Sequence, residues 1–87
     1  MEREIKPGIY RHFKASHMIY EVIGEGLSTE TGEELVIYKS LYESNNYPKG
    51  QIWIRPKEMF ISKVPVGREN PNNQEYRFEY IGESIDA

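Results

Sequence analysis

The sequence predicts a mainly β protein: a small SH3-like barrel of five or six antiparallel strands with a short helical turn near residues 56–60. Three observations lead there. Aromatic residues are frequent and seven of them are tyrosines, which favour strands as β-branched residues do. Short stretches alternate with a period of two, which sends successive side chains to opposite faces. Turn formers interrupt the chain at short intervals, and no stretch sustains a helical period. A sheet of such short strands gains from closure, because closure hides edges that would pair with another chain. An OB-like barrel or an open sheet is the second reading.

Pro7-Gly8 marks a turn, and the first strand runs from Ile9 to Phe13, with Tyr10 and His12 on one face and Ile9, Arg11 and Phe13 on the other. After Ala15-Ser16-His17 a second strand spans Met18 to Ile23, where Met18, Tyr20 and Val22 share a face. Gly24 and Gly26 then bend or loosen the chain. Beyond the Thr31-Gly32 turn, Leu35 to Tyr42 forms the longest strand, with bulk on both faces. "ESNNYPKG" is a loop by composition. In the fourth strand, Gln51 to Arg55, Ile52 and Ile54 point one way and Gln51, Trp53 and Arg55 the other. Pro56 ends it and starts a helical turn, from which Met59 and Phe60 fold back onto the core. A fifth strand is expected over Ile61 to Val66, at an edge because Pro65 cannot donate a ladder hydrogen bond. "GRENPNN" is a hairpin loop, and the last strand, Glu75 to Ile81, turns Tyr76, Phe78 and Tyr80 inward. The tail past Gly82 is expected to fray.

With 87 residues the chain is read as one domain, residues 1–87, ordered over about 7–82. Its core is small, so few side chains can be spared from packing. The formal net charge is -3, without the basic excess usual in proteins that hold nucleic acid by charge. The absence of cysteine removes disulfides, thiolate nucleophiles and cysteine-ligated metal sites, and fits a cytoplasmic protein. The charged start, Met1-Glu2-Arg3-Glu4, is not a secretory signal, and no apolar run approaches the roughly 20 residues of a membrane helix.

Enzyme motifs are missing. His12 and His17 are not spaced for a shared metal on a strand or a helix. Gly24-Glu25-Gly26 begins like a dinucleotide fingerprint, but Thr29 stands where the third glycine belongs. Glu33-Glu34 lies in a polar turn, where a solvated surface is expected and not the burial or close partner that catalytic carboxylates need. The reading is therefore no catalytic residue, no metal and no cofactor.

The decapeptide "QIWIRPKEMF" offers more. Trp53 either fills the core, contributing a few kcal/mol by burial, or floors a shallow groove with Arg55 at its rim. Arg55 cannot be buried alone, since an unpaired guanidinium costs several kcal/mol. It is either paired, to Glu58 or Glu34, or open and able to grip an anion with two hydrogen bonds. If the faces of Tyr10 and His12 and of Tyr38 and Tyr42 converge on that of Trp53 and Arg55, they form an aromatic surface for a ligand, with Tyr10, His12, Tyr38, Trp53 and Arg55 as its site.

The blocks "PGIYRHFK", "YEVIG", "ETGEELVIYKSLY" and "WIRPKEMF" resemble, in order and spacing, a bacterial family of small domains known as domain of unknown function 1653. The matching positions are Gly8, Tyr10, His12, Phe13, Lys14, Tyr38, Trp53, Arg55, Pro56, Met59 and Phe60. The resemblance implies a compact, mainly β domain similar to SH3-like barrels and supplies no activity. Ala15 stands where the family commonly has glycine, and Ser28 where it often has histidine.

The leading functional expectation is a non-catalytic binding module with Tyr10, His12, Tyr38, Trp53 and Arg55 as its site and a peptide or small anionic molecule as its ligand. The alternative is single-stranded nucleic-acid binding, with aromatic rings stacking on bases and Arg11, Lys14, Arg55 and Lys57 on phosphates, which the acidic balance opposes. A second alternative is a hydrolase using His12. A monomer or a weak dimer is expected, with no membrane partner.

Overall fold

The computed structural model describes residues 5–83; the expectations for Met1 to Glu4 and for the tail beyond residue 83 lie outside the described residues. Five strands form one antiparallel sheet in the order β4-β3-β2-β1-β5: β1 Gly8–His12, β2 Ile19–Leu27, β3 Glu34–Ser40, β4 Ile52–Pro56 and β5 Phe78–Gly82. One short helix, α1 Lys57–Phe60, follows β4. Among the described residues no helix is long and apolar enough to cross a membrane.

The inner face follows the alternation. Tyr10 and His12 of β1, Tyr20 and Val22 of β2, Val36, Tyr38 and Ser40 of β3, and Phe78 of β5 are all buried. Cross-strand pairing sets them in rows, with Tyr20 opposite both Tyr10 and Ser40, Tyr38 opposite Val22 and Trp53, and Phe78 opposite His12. Ile23 is the extra residue of a bulge in β2 against β3, just where Gly24 announces a bend. Ile52 and Ile54 face outward and are exposed, which leaves the inner side of β4 to Trp53 and Arg55.

The sheet is strongly curled. Three strand spacings separate β3 from β5, about 14 Å in a flat sheet, yet the Tyr38 and Phe78 rings lie 5.7 Å apart. The ladder nevertheless does not close, and the expected barrel is an open sheet. The expected strand over Ile61 to Val66 is also not formed; only an isolated bridge, Lys63 to Tyr76, remains of it. Both corrections have one cause. The Ile61 and Ser62 amides are used at the end of α1, on the carbonyls of Lys57 and Met59, and Pro65 has no amide to give. Side chains fill the gap between β4 and β5 instead. Phe60 stacks on Phe78 with centroids 4.2 Å apart, and the Arg55 guanidinium lies 5.4 Å over the same ring. Phe60 is fully buried as expected, whereas Met59 stays exposed.

Candidate functional site

β3 and β4 carry the centre of the site. Their register places Tyr38 opposite Trp53 and Val36 opposite Arg55, so Trp53 and Arg55 project from the same face of β4. The Arg55 Nε donates to the Tyr38 hydroxyl at 3.2 Å. Arg55 makes no ion pair among the described residues: Glu34, one of its expected partners, meets Lys57 instead, at 3.5 Å. Burial raises the Tyr38 phenol pKa, and the neighbouring guanidinium works against that rise.

His12 comes from β1. Its ring stacks on Phe13 at 4.7 Å and meets Phe78 edge-on at 4.9 Å. The Lys14 amide donates to Nδ1 at 3.2 Å, which assigns the proton of the neutral ring to Nε2, and that atom has no protein partner among the described residues. Burial, followed by the charges of Arg55, Lys14, Arg77 and Arg68, lowers the His12 pKa to about 4. Tyr20 and Tyr42 share a hydrogen bond of 2.6 Å, and burial together with that bond pushes the Tyr20 phenol far above its ordinary range. Tyr47, from the loop after β3, sets its ring edge-on to Trp53 at 4.8 Å.

These groups surround an open cleft of about 280 Å³. Tyr20, Tyr38, Tyr42, Tyr47 and Trp53 make its aromatic walls, and His12, Lys14, Ser44 and Arg55, with Met18, complete the lining. Among the described residues no carboxylate lines it. Four of the five expected site residues, His12, Tyr38, Trp53 and Arg55, therefore meet in one cleft. Tyr10 does not line it: the Tyr10 ring is buried against Phe60 and Tyr80, and its hydroxyl bonds the backbone of Lys6. Sequence reasoning missed Tyr47 and Ser44, where the available signal was an aromatic residue inside a loop of turn formers. It also left out Tyr20, which shares the inner face, and placed Tyr42 on the Tyr38 face without counting it in the site, although Tyr42 lines the cleft and pairs with Tyr20 beyond the end of β3. Among the described residues no three His, Asp or Glu side chains cluster to hold a metal.

A curled five-stranded sheet with an aromatic, cation-lined cleft defines the chain as a small mainly β domain. It belongs to the family described as protein of unknown function DUF1653, whose profile matches residues 8–80. The chain is also similar to a solved structure of a member of that family from Bordetella bronchiseptica, at 29% identity and a TM-score of 0.71 over 92% of this chain and 91% of the other. No curated protein matches it significantly. Ser28, which the resemblance sets against a histidine, accepts the amides of Glu30 and Thr31 in the β2–β3 turn and does not line the cleft.

Proposed function

We propose that the protein is a non-catalytic binding module that takes a small anionic molecule in the Trp53–Arg55 cleft. One observation carries this reading. In a chain with net charge -3, Arg55 and Lys14 line a cleft in which, among the described residues, there is no acid, and Arg55 has no ion-pair partner among them. A half-buried guanidinium without an internal counter-ion favours an anion from outside. The volume is at the small end of the roughly 300–1,000 Å³ of ligand clefts, which suits a small molecule better than an extended peptide.

The nucleic-acid alternative is weaker, because two of its four phosphate contacts are engaged. Arg11 lies 3.9 Å from Glu79, and Lys57 binds Glu25 and Glu34. The hydrolase alternative lacks an orienting acid, since the Nδ1 of His12 accepts a backbone amide.

Trp53 is the sole tryptophan, so fluorescence quenching reports on the cleft. The acidic chain as a whole repels iodide, while the cleft attracts it. Relative to free N-acetyltryptophanamide, the ratio of iodide to caesium quenching of Trp53 should therefore be raised, and R55Q combined with K14Q should bring it down to the free value or below. An iodide-to-caesium ratio no higher than that of free N-acetyltryptophanamide, or an indole closed to iodide, overturns the reading.

A further inference from the structure

We infer that the ligand is a phosphomonoester carrying a flat ring, with the ring against Trp53 and Tyr47 and the phosphoryl group between Arg55, Lys14 and the Nε2–H of His12. This deepens the anion reading and rests on it.

The ring half follows from the walls. Trp53 and Tyr47 stand at 76° to each other, forming a corner that gives a flat ring one face to stack on and one edge to meet. Tyr47 is half exposed, so this corner belongs to the rim and not to the core.

The phosphoryl half follows from donors and charge. Arg55 uses its Nε on Tyr38 and keeps its two terminal amino groups. His12 offers Nε2–H, and Lys14 is an exposed ammonium on the cleft wall. A carboxylate would be satisfied by Arg55 alone through two parallel bonds, whereas three separate donor groups suit the three oxygens of a phosphoryl group. The positive field is also larger than one negative charge requires. Arg55, Lys14, Arg77 and Arg68 all act on His12, and the Arg68 guanidinium lies 5.7 Å over Phe13, the ring on which His12 stacks. Lys14 also lines the adjoining cleft with Arg68, where Glu69 is the one acid of the lining. Tyr20, edge-on to His12 at 6.5 Å, and Tyr38, in the same cleft lining, are neutral phenols with raised pKa values. A dianion is the complementary charge.

The probes are phenyl phosphate, benzenesulfonate and inorganic phosphate, titrated against Trp53 fluorescence at pH 5 and pH 7.5. A phosphomonoester loses its second proton near pH 6, so its dianion fraction rises about tenfold over this interval. With a pKa of about 4, His12 stays neutral throughout. Phenyl phosphate should bind about tenfold more tightly at pH 7.5 than at pH 5, following its dianion fraction, while benzenesulfonate shows no such rise. Inorganic phosphate should bind more weakly than phenyl phosphate. K14Q, a change at an exposed side chain that leaves the fold intact, should flatten the pH response of phenyl phosphate. If benzenesulfonate binds as tightly as phenyl phosphate at both pH values, the phosphoryl assignment is overturned and the anion cleft stands. If inorganic phosphate equals phenyl phosphate, the ring assignment is overturned. If no probe binds and the iodide-to-caesium ratio at Trp53 is no higher than that of free N-acetyltryptophanamide, the cleft is not an anion site at all.

Discussion

At His12 the neutral imidazole is the form that fits, because the ring is packed between Phe13 and Phe78 with four cationic side chains acting on it. Its pKa falls from 6.5 to about 4 on folding. Between these values the unfolded chain binds the extra proton, so acid favours unfolding. The stabilising contribution is complete above pH 6.5 and is lost as pH falls towards 4, and it amounts to about 3 kcal/mol. Urea unfolding at pH 7.5 and pH 4.5 should show a larger loss of stability for the native sequence than for H12Q; equal losses would show that the imidazole titrates normally. The Tyr38 hydroxyl holds the Arg55 Nε, so Y38F should keep the fold, release the guanidinium and weaken phenyl phosphate binding several-fold in a fluorescence titration. The shared direction of Trp53 and Arg55 was legible in the sequence, since it needs only the two-residue pleat. The placement of Tyr10 was not. It shares a strand face with His12, but the curl of the sheet sends the two rings to different parts of the core, where Tyr10 meets Phe60 and His12 meets Phe13.

Among the elements, β1 depends on its first residue. Gly8 has a φ of +140°, and a Cβ there would lie 2.8 Å from the Gly82 carbonyl oxygen and 2.9 Å from the Tyr80 ring. G8A should therefore cost about 1–3 kcal/mol by backbone strain alone, with further loss if β5 is forced away from β1; a melting temperature matching the native one would show that the strand ends move freely. The loop before β5 is held by Gln74, which is buried and donates to the carbonyls of Arg11 and Tyr76. The Asn70 side chain in turn accepts the Gln74 amide and donates to its carbonyl. These contacts tie residues 70–74 to the strand that carries His12. From the sequence "GRENPNN" is legible as a loop, because its residues are turn formers, but the buried amide that anchors it is not, because burial of a glutamine depends on distant carbonyls. The same limit explains the strand expected over Ile61 to Val66. Its β-branched residues are legible, yet whether a strand forms depends on where the Ile61 and Ser62 amides are spent, and α1 takes both.

For the molecule as a whole, Phe60 is the side chain through which α1, β3 and β5 act as one body. It is fully buried, stacks on Phe78, and packs against Tyr38 at 5.5 Å and Tyr10 at 5.4 Å. Phe78 is also the ring beneath the Arg55 guanidinium, so Phe60 supports the floor of the cleft. The open ladder makes this packing matter more than it would in a closed barrel: between β4 and β5 the described backbone has no ladder, and the curl is held by rings. Removing the Phe60 ring leaves a cavity costing about 3–5 kcal/mol, against a total stability of roughly 5 kcal/mol for a domain of this size. F60A should be largely unfolded by circular dichroism at 37 °C. F60L fills more of the space and should stay folded, with a lowered melting temperature and weaker phenyl phosphate binding as Phe78 and Arg55 loosen. The comparison is I54A on the exposed outer face of β4, the next residue to Arg55 in sequence but on the opposite side of the sheet. I54A should change melting by no more than a surface substitution does, within about 0.5 kcal/mol, and leave binding intact. If F60L and I54A proved equally mild in both melting and binding, the sheet would not be curled around Phe60, and the cleft would have to be supported in some other way.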